Sequence, residues 1–144
     1  MKLADVRFYV DADILGLAKV LEQLRADVTF PGDPGRVVHK RSRPACPVTS
    51  PRALDDAWIP VVAERGWLAI TRDSKIAQHS AEVTMVREHG ARLVAISGQE
   101  GLGTWEQLEI VMSQWRQLEK LQELPGPFIY RMTRTSLAAL DMTA

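Results

Sequence analysis

At 144 residues, 46% apolar and 25% charged, with 18 basic side chains against 18 acidic ones, the chain is long enough for one domain with a real core and too short for two. The balanced charge and high apolar content exclude disorder and a uniformly basic nucleic-acid coat, and no apolar run approaches the ~18 residues of a membrane span. A lone Cys46 excludes an internal disulfide and a multi-thiolate zinc site, and the start MKLADVRFYV lacks a secretory signal, so a reduced, cytoplasmic protein is expected.

Val6 to Val10 is an apolar run broken only by Arg7 and closed by Asp11, the composition of a short buried strand. Ile14, Leu17, Ala18, Leu21 and Leu24 then recur at helical spacing, with Asp13 as the expected N-cap. A short strand is expected at Val28 to Phe30. Residues 31–51 carry so much Pro, Gly and Ser that they read as a loop. The next helix starts near Asp55 or Asp56, turns Trp58, Val61 and Val62 inward, loses a hydrogen bond at Pro60 and ends at Gly66. Trp67 to Thr71 is a second buried strand closing on an acid, Asp73. A helix over Ala81 to His89, a stop at Gly90 and a strand at Leu93 to Ile96 follow. Thr104 with Gln107 makes a capping-box pattern for one helix carrying Leu108, Val111, Trp115, Leu118 and Leu121 as far as Pro125. Within the C-terminal strand and tail, residues 125–144, the strand is Phe128 to Met132.

Strands alternating with helices predict an α/β domain over residues 1–144, its mainly parallel sheet covered on both faces, because parallel neighbours need crossover connections. In such sheets the ligand crevice lies beyond the carboxyl ends of the strands, where Asp11 and Asp73 are delivered. Asp11, Asp13, Asp55, Asp56, Asp73 and Glu82 are weighed together. Crowded carboxylates repel, and the repulsion is relieved by raised pKa values or by a divalent cation, Mg²⁺ or Mn²⁺ for an all-oxygen donor set. Such an ion assists phosphodiester hydrolysis. The plainer alternative stays open: Asp13, Asp55, Asp56 and Asp73 all fall where helices begin and serve as caps, and Glu82 is a solvated helix residue.

Between Asp33 and Asp55 there is no acid, and Arg36, Lys40, Arg41, Arg43 and Arg52 fall there as candidate RNA-phosphate contacts. Tyr9, Trp58 and Trp67 belong to the core, whereas Trp105 opens its helix as a candidate exposed aromatic. His39, His79 and His89 lack metal-ligand spacing.

The segments FYVDADI, LDDAWIPVVAERGWLAITRDSKI and AEVTMVREHGARLVAIS resemble the PIN-like fold, in particular the VapC-type toxins with a D-x-x-W…GW…T-[RK]-D pattern. The likeness covers about the first two-thirds of the chain. It implies a three-layer α/β/α PIN-like fold and a metal-dependent ribonuclease with Asp11, Asp55 and Asp73 as catalytic metal ligands. Asp56 is an adjacent substitute for Asp55, and Asp13 and Glu82 are additional acids. It also implies an RNA substrate and a cognate antitoxin, with a homodimer as a further expected partner state and no membrane. The usual late acid is not obvious, Glu100 being its weak counterpart. Two readings compete: a PIN-like module that binds RNA or protein without cleaving, and a phosphatase of the haloacid-dehalogenase type suggested by Asp11-Ala12-Asp13. The latter, like a phosphoacceptor receiver domain, lacks its downstream lysine motif.

Overall fold

The computed structural model describes residues 1–72, 80–97 and 102–142. In chain order the elements are β1 (Lys2–Leu3), β2 (Phe8–Val10), a 3-10 turn (Ala12–Ile14), α1 (Leu15–Leu24), β3 (Val28–Thr29), β4 (Arg36–Val38) and β5 (Arg41–Arg43). They continue with α2 (Asp55–Arg65), β6 (Leu68–Arg72), α3 (Ser80–His89), β7 (Arg92–Ile96), α4 (Thr104–Ser113), α5 (Trp115–Gln122), β8 (Phe128–Met132) and β9 (Leu137–Ala139). The main sheet runs β3-β2-β6-β7-β8-β9, parallel throughout except for the antiparallel edge strand β9.

Successive strand side chains point to opposite faces, and here both faces are apolar, so the sheet must be covered twice. Phe8, Val10, Leu68, Ile70, Val94 and Ile96 pack on one side against α1, α4 and α5. Tyr9, Ala69, Leu93, Ala95 and Ile129 pack on the other against α2 and α3. This is the three-layer α/β/α arrangement expected. Tyr9, Trp58 and Trp67 are core residues, with Tyr9 stacked on both indoles at 5.3 and 6.3 Å, and Trp105 is exposed. Gly66 ends α2 in the left-handed conformation with φ 70°. Pro60 sits inside α2 without ending it: the carbonyl it leaves unbonded belongs to Asp56, an exposed residue that water can reach.

Four local expectations are corrected. Residues 31–51 are not all loop: β4 and β5 form an antiparallel hairpin, and β1 joins β5 in a small three-stranded sheet. Its turn places His39 and Lys40 at φ 50° and 63°, a conformation for which neither side chain advertises itself. Gly35, at φ 86°, is needed beneath the hairpin, because a β-carbon there would collide with the Arg43 carbonyl oxygen. Asp13 is not the cap of α1; Asp11 caps the preceding 3-10 turn by accepting from the Ala12 amide at 2.7 Å. The Thr104/Gln107 box does not form, since Gly103 is the N-cap and the Gln107 side-chain amide donates instead to the Leu102 carbonyl. The single long helix is two, broken at Gln114, whose side chain donates to the carbonyls of Thr133 and Ser136 and so ties the break to the β8–β9 turn.

Candidate active site

Parallel register places the site. Tyr9 pairs with Ala69 and Val10 with Ile70, so the residues following β2 and those ending β6 emerge at the same carboxyl edge. The Asp11 amide extends the ladder by donating to the Ile70 carbonyl at 2.9 Å. The 3-10 turn then swings the chain back, and Thr71 becomes the hub: its hydroxyl lies 3.2 Å from Asp11 Oδ2 and 3.1 Å from Asp13 Oδ2. With one proton, the hydroxyl donates to one carboxylate at a time. Asp13 also accepts from the Arg72 amide at 3.2 Å, which holds its carboxylate over β6 although the residue as a whole is exposed. From the facing layer, Asp55 in the first turn of α2 accepts from the Trp58 indole N–H at 2.9 Å. Trp58 is buried against Tyr9, so this bond ties the acid to the core.

Burial and neighbouring negative charge act together on Asp11, Asp13 and Glu82. Burial, then the neighbouring Asp13 charge, pushes Asp11 up to about 6, against the pull of the Ala12 amide and the Thr71 hydroxyl; Asp55 adds a smaller upward push. Partial loss of hydration raises Asp13, opposed by the Arg72 amide and Thr71, with Asp55 again pushing upward. Glu82, in the first turn of α3, is pushed up to about 7 by burial and then by Asp55, Asp11 and Asp13. The Tyr9 phenol, fully buried and without a hydrogen-bond partner among the described residues, is raised by burial and then by Asp11. The Asp55 charge on α2 therefore raises Asp11 and Asp13 at the end of β2 and Glu82 on α3, three segments that are distant in the sequence.

A pH dependence of stability follows. Asp11 keeps its proton up to about 6 when folded but only to its ordinary 3.8 when unfolded, and Glu82 up to about 7 rather than 4.5. Across those intervals the folded state holds more protons than the unfolded one, so stability declines as pH rises through them. The site's contribution makes the metal-free protein melt lower at about pH 7.5 than at about pH 5, and Asp11→Asn or Glu82→Gln flattens that decline. Thermal melts across this range check it, and variants with the wild-type slope would contradict the coupling.

Not every residue singled out in the sequence joins the group. Asp56 is exposed beside Asp55, and its charge is not among those that raise Asp11, Asp13 or Glu82. Asp73 and Glu100 lie outside the described residues. Among the described residues, no three or more His, Cys, Asp or Glu side chains are grouped closely enough to hold a metal ion. Of the basic residues, Lys40, Arg41 and Arg52 are exposed. Arg36 pairs with Glu22 at 2.8 Å. Arg43 is a correction: its side chain is 0% exposed, its guanidinium 2.5 Å from Glu22 and 2.7 Å from Asp33, so it is a core ion pair and not an RNA contact. Thr71 was missed as a site residue; its only signal was its place in T-R-D.

A family model described as "PIN like domain" matches residues 6–98. The chain belongs to the PIN-like domain family. The match runs from the approach to β2 through β7, so it contains Asp11, Asp13, Asp55, Thr71 and Glu82. The PIN-like superfamily includes nucleases. No curated protein and no solved structure matches the chain significantly. Among the described residues of this PIN-like protein, no helix is long and apolar enough to cross a membrane.

Proposed function

We propose that this PIN-like protein is a metal-dependent endoribonuclease, hydrolysing RNA phosphodiesters at the carboxyl edge of β2 and β6. The observation that supports the reading is the convergence of the Asp11 and Asp13 carboxylates on the Thr71 hydroxyl, with the Asp55 charge from α2 raising Asp11, Asp13 and Glu82. The donor set fits the metal this fold family implies: carboxylate and hydroxyl oxygens suit Mg²⁺ or Mn²⁺. Asp11 and Asp55 would hold the ion, with Asp73 as the third ligand that the sequence likeness implies. When bound, it supplies charge neutralisation at the phosphodiester and a lowered pKa for coordinated water.

The chain's own residues do the rest. Thr71 orients the Asp11 and Asp13 carboxylates, and the Trp58 indole fixes Asp55. Glu82, pushed up to about 7, carries a proton part of the time at neutral pH, which lowers the charge of the cluster, and a bound cation would favour its release. Lys40, Arg41 and Arg52 offer exposed charge for RNA phosphates. The likeness to VapC-type toxins extends the proposal to a toxin of the cytoplasm held by a cognate antitoxin, with a homodimer as its self-assembled state.

A second reading, a PIN-like module that binds without cleaving, is favoured by the lack of a three-ligand metal group among the described residues. A labelled single-stranded RNA incubated with Mn²⁺ or with EDTA separates the two. The nuclease shortens it only with Mn²⁺, and Asp55→Asn loses that activity. A gel shift without shortening under any metal supports the binder, and shortening undiminished in EDTA contradicts the metal-dependent mechanism.

A further inference from the structure

At the opposite end of the sheet from the acids, the residues preceding β2 and β3 and the β4–β5 hairpin enclose an open concavity of about 490 Å³. Arg7, Arg25, His39 and Arg41 line it together with Asp5 and Asp27. The charges are not equivalent. Asp27 receives both donors of the Arg25 fork, at 2.9 and 3.0 Å, and lies 4.0 Å from Arg7, so its charge is already answered. Arg41 is exposed, and among the described residues it has no ion pair. Its register partner across the small sheet is Lys2, also exposed and on the same face. Like charges in direct cross-strand register destabilise a sheet unless an anion lies between them. His39, held at the hairpin turn by its ring nitrogen 3.2 Å from the Leu24 carbonyl oxygen, has its other ring nitrogen available.

We propose that this concavity is a second RNA-binding site, a cradle in which Arg7 and Arg41, with Lys2 beside Arg41 on the neighbouring strand, engage phosphodiesters of the strand whose scissile bond lies at the acids. The inference rests on the ribonuclease reading for its substrate class but not on cleavage. The exposed Arg41 and Lys2, with the half-buried Arg7, spread positive charge along an open rim, which matches a phosphodiester backbone that is followed by charge and not enclosed. A free phosphate monoester is better held by convergent, buried donors, and here Arg25, the guanidinium closed onto Asp27, is the one already taken. β2 runs directly from Arg7 to Asp11, four residues at ~3.3 Å each, so roughly 13 Å of strand axis joins the two ends.

The test is binding in EDTA, by fluorescence anisotropy of a labelled twelve-nucleotide oligouridylate titrated at several salt concentrations with the full chain. Arg41→Ala and Lys2→Ala should each weaken binding by roughly threefold or more and reduce the slope of log K against log salt by about 0.7, the two effects combining in the double variant. Arg134→Ala, in the β8–β9 turn away from the concavity and paired with Glu109 at 2.9 Å, keeps the wild-type affinity and slope. Unchanged affinity and slope in the double variant overturn the proposal while leaving the nuclease intact. Displacement by uridine monophosphate as effective as by unlabelled oligonucleotide would assign the site to a free monoester and overturn it. Displacement by polyglutamate as effective as by RNA would assign it to an acidic protein segment and also overturn it. Arg41-dependent binding in a wild-type protein that never cleaves with Mn²⁺ would uphold the cradle and refute the nuclease.

Discussion

Asp11→Asn is expected to abolish the proposed Mn²⁺-dependent RNA cleavage, with a loss on the order of 10³-fold in kcat/KM, about 4 kcal/mol of transition-state stabilisation. The amide is nearly isosteric, and its oxygen still accepts from Thr71 or from the Ala12 amide, so the local turn survives. What disappears is one negative charge at the centre of the cluster. The same substitution relieves repulsion with Asp13 and Asp55, so the metal-free variant is at least as stable as the wild type at neutral pH. This pairing of outcomes separates chemistry from folding. A single-turnover assay and a thermal melt on the same preparation check it, and an active variant, or an inactive one that is also unfolded, goes against the account.

Arg43→Ala has the largest expected effect on stability. The guanidinium is buried between Asp33 and Glu22, and it also donates to the backbone carbonyls of Glu22 and Arg25 at 3.1 and 3.2 Å. Asp33 is held in turn by the Thr29 hydroxyl and the Gly35 amide. One side chain therefore fastens the hairpin to the C-terminal end of α1 and to the segment that follows β3. Truncating it leaves the buried Asp33 carboxylate without a cation and Glu22 with the half-exposed Arg36 alone, a change that costs about 3–5 kcal/mol. Arg43→Met combined with Glu22→Gln and Asp33→Asn removes all three charges and loses less than Arg43→Ala alone. Urea melts at constant slope measure both; equal losses would mean that the damage comes from lost packing and not from uncompensated charge.

Arg43 also shows why part of the molecule was legible in the sequence and part was not. Strands β2, β6 and β7 announce themselves because burial on both faces demands an unbroken apolar run, and helices α1 and α2 because one stripe must face that sheet. Those elements are enough to bring Asp11 and Thr71 to one edge. The hairpin is hidden because Arg36-Val37-Val38 and Arg41-Ser42-Arg43 are short and polar, and their pairing depends on charges placed far earlier, at Glu22 and Asp33. A list of basic residues cannot separate Arg43, sealed in the core, from Arg41, open to solvent two residues before it. Capping fails for a related reason. Asp13 has the right chemistry for a helix start, but Thr71 and the Arg72 amide, near in space and distant in sequence, compete for its carboxylate and win. Likewise Gln114 interrupts a continuous apolar stripe because carbonyls of the β8–β9 turn need its amide.

The most direct measurement is a Mn²⁺ titration followed by electron paramagnetic resonance, in which protein-bound ion loses the sharp signal of the free ion. The wild type at neutral pH should take up Mn²⁺ at a saturable site, releasing protons as it binds, and Asp11→Asn and Asp55→Asn should each lose that site. A wild type that leaves the free signal intact, or variants that bind as it does, would contradict the metal centre on which the proposed chemistry depends.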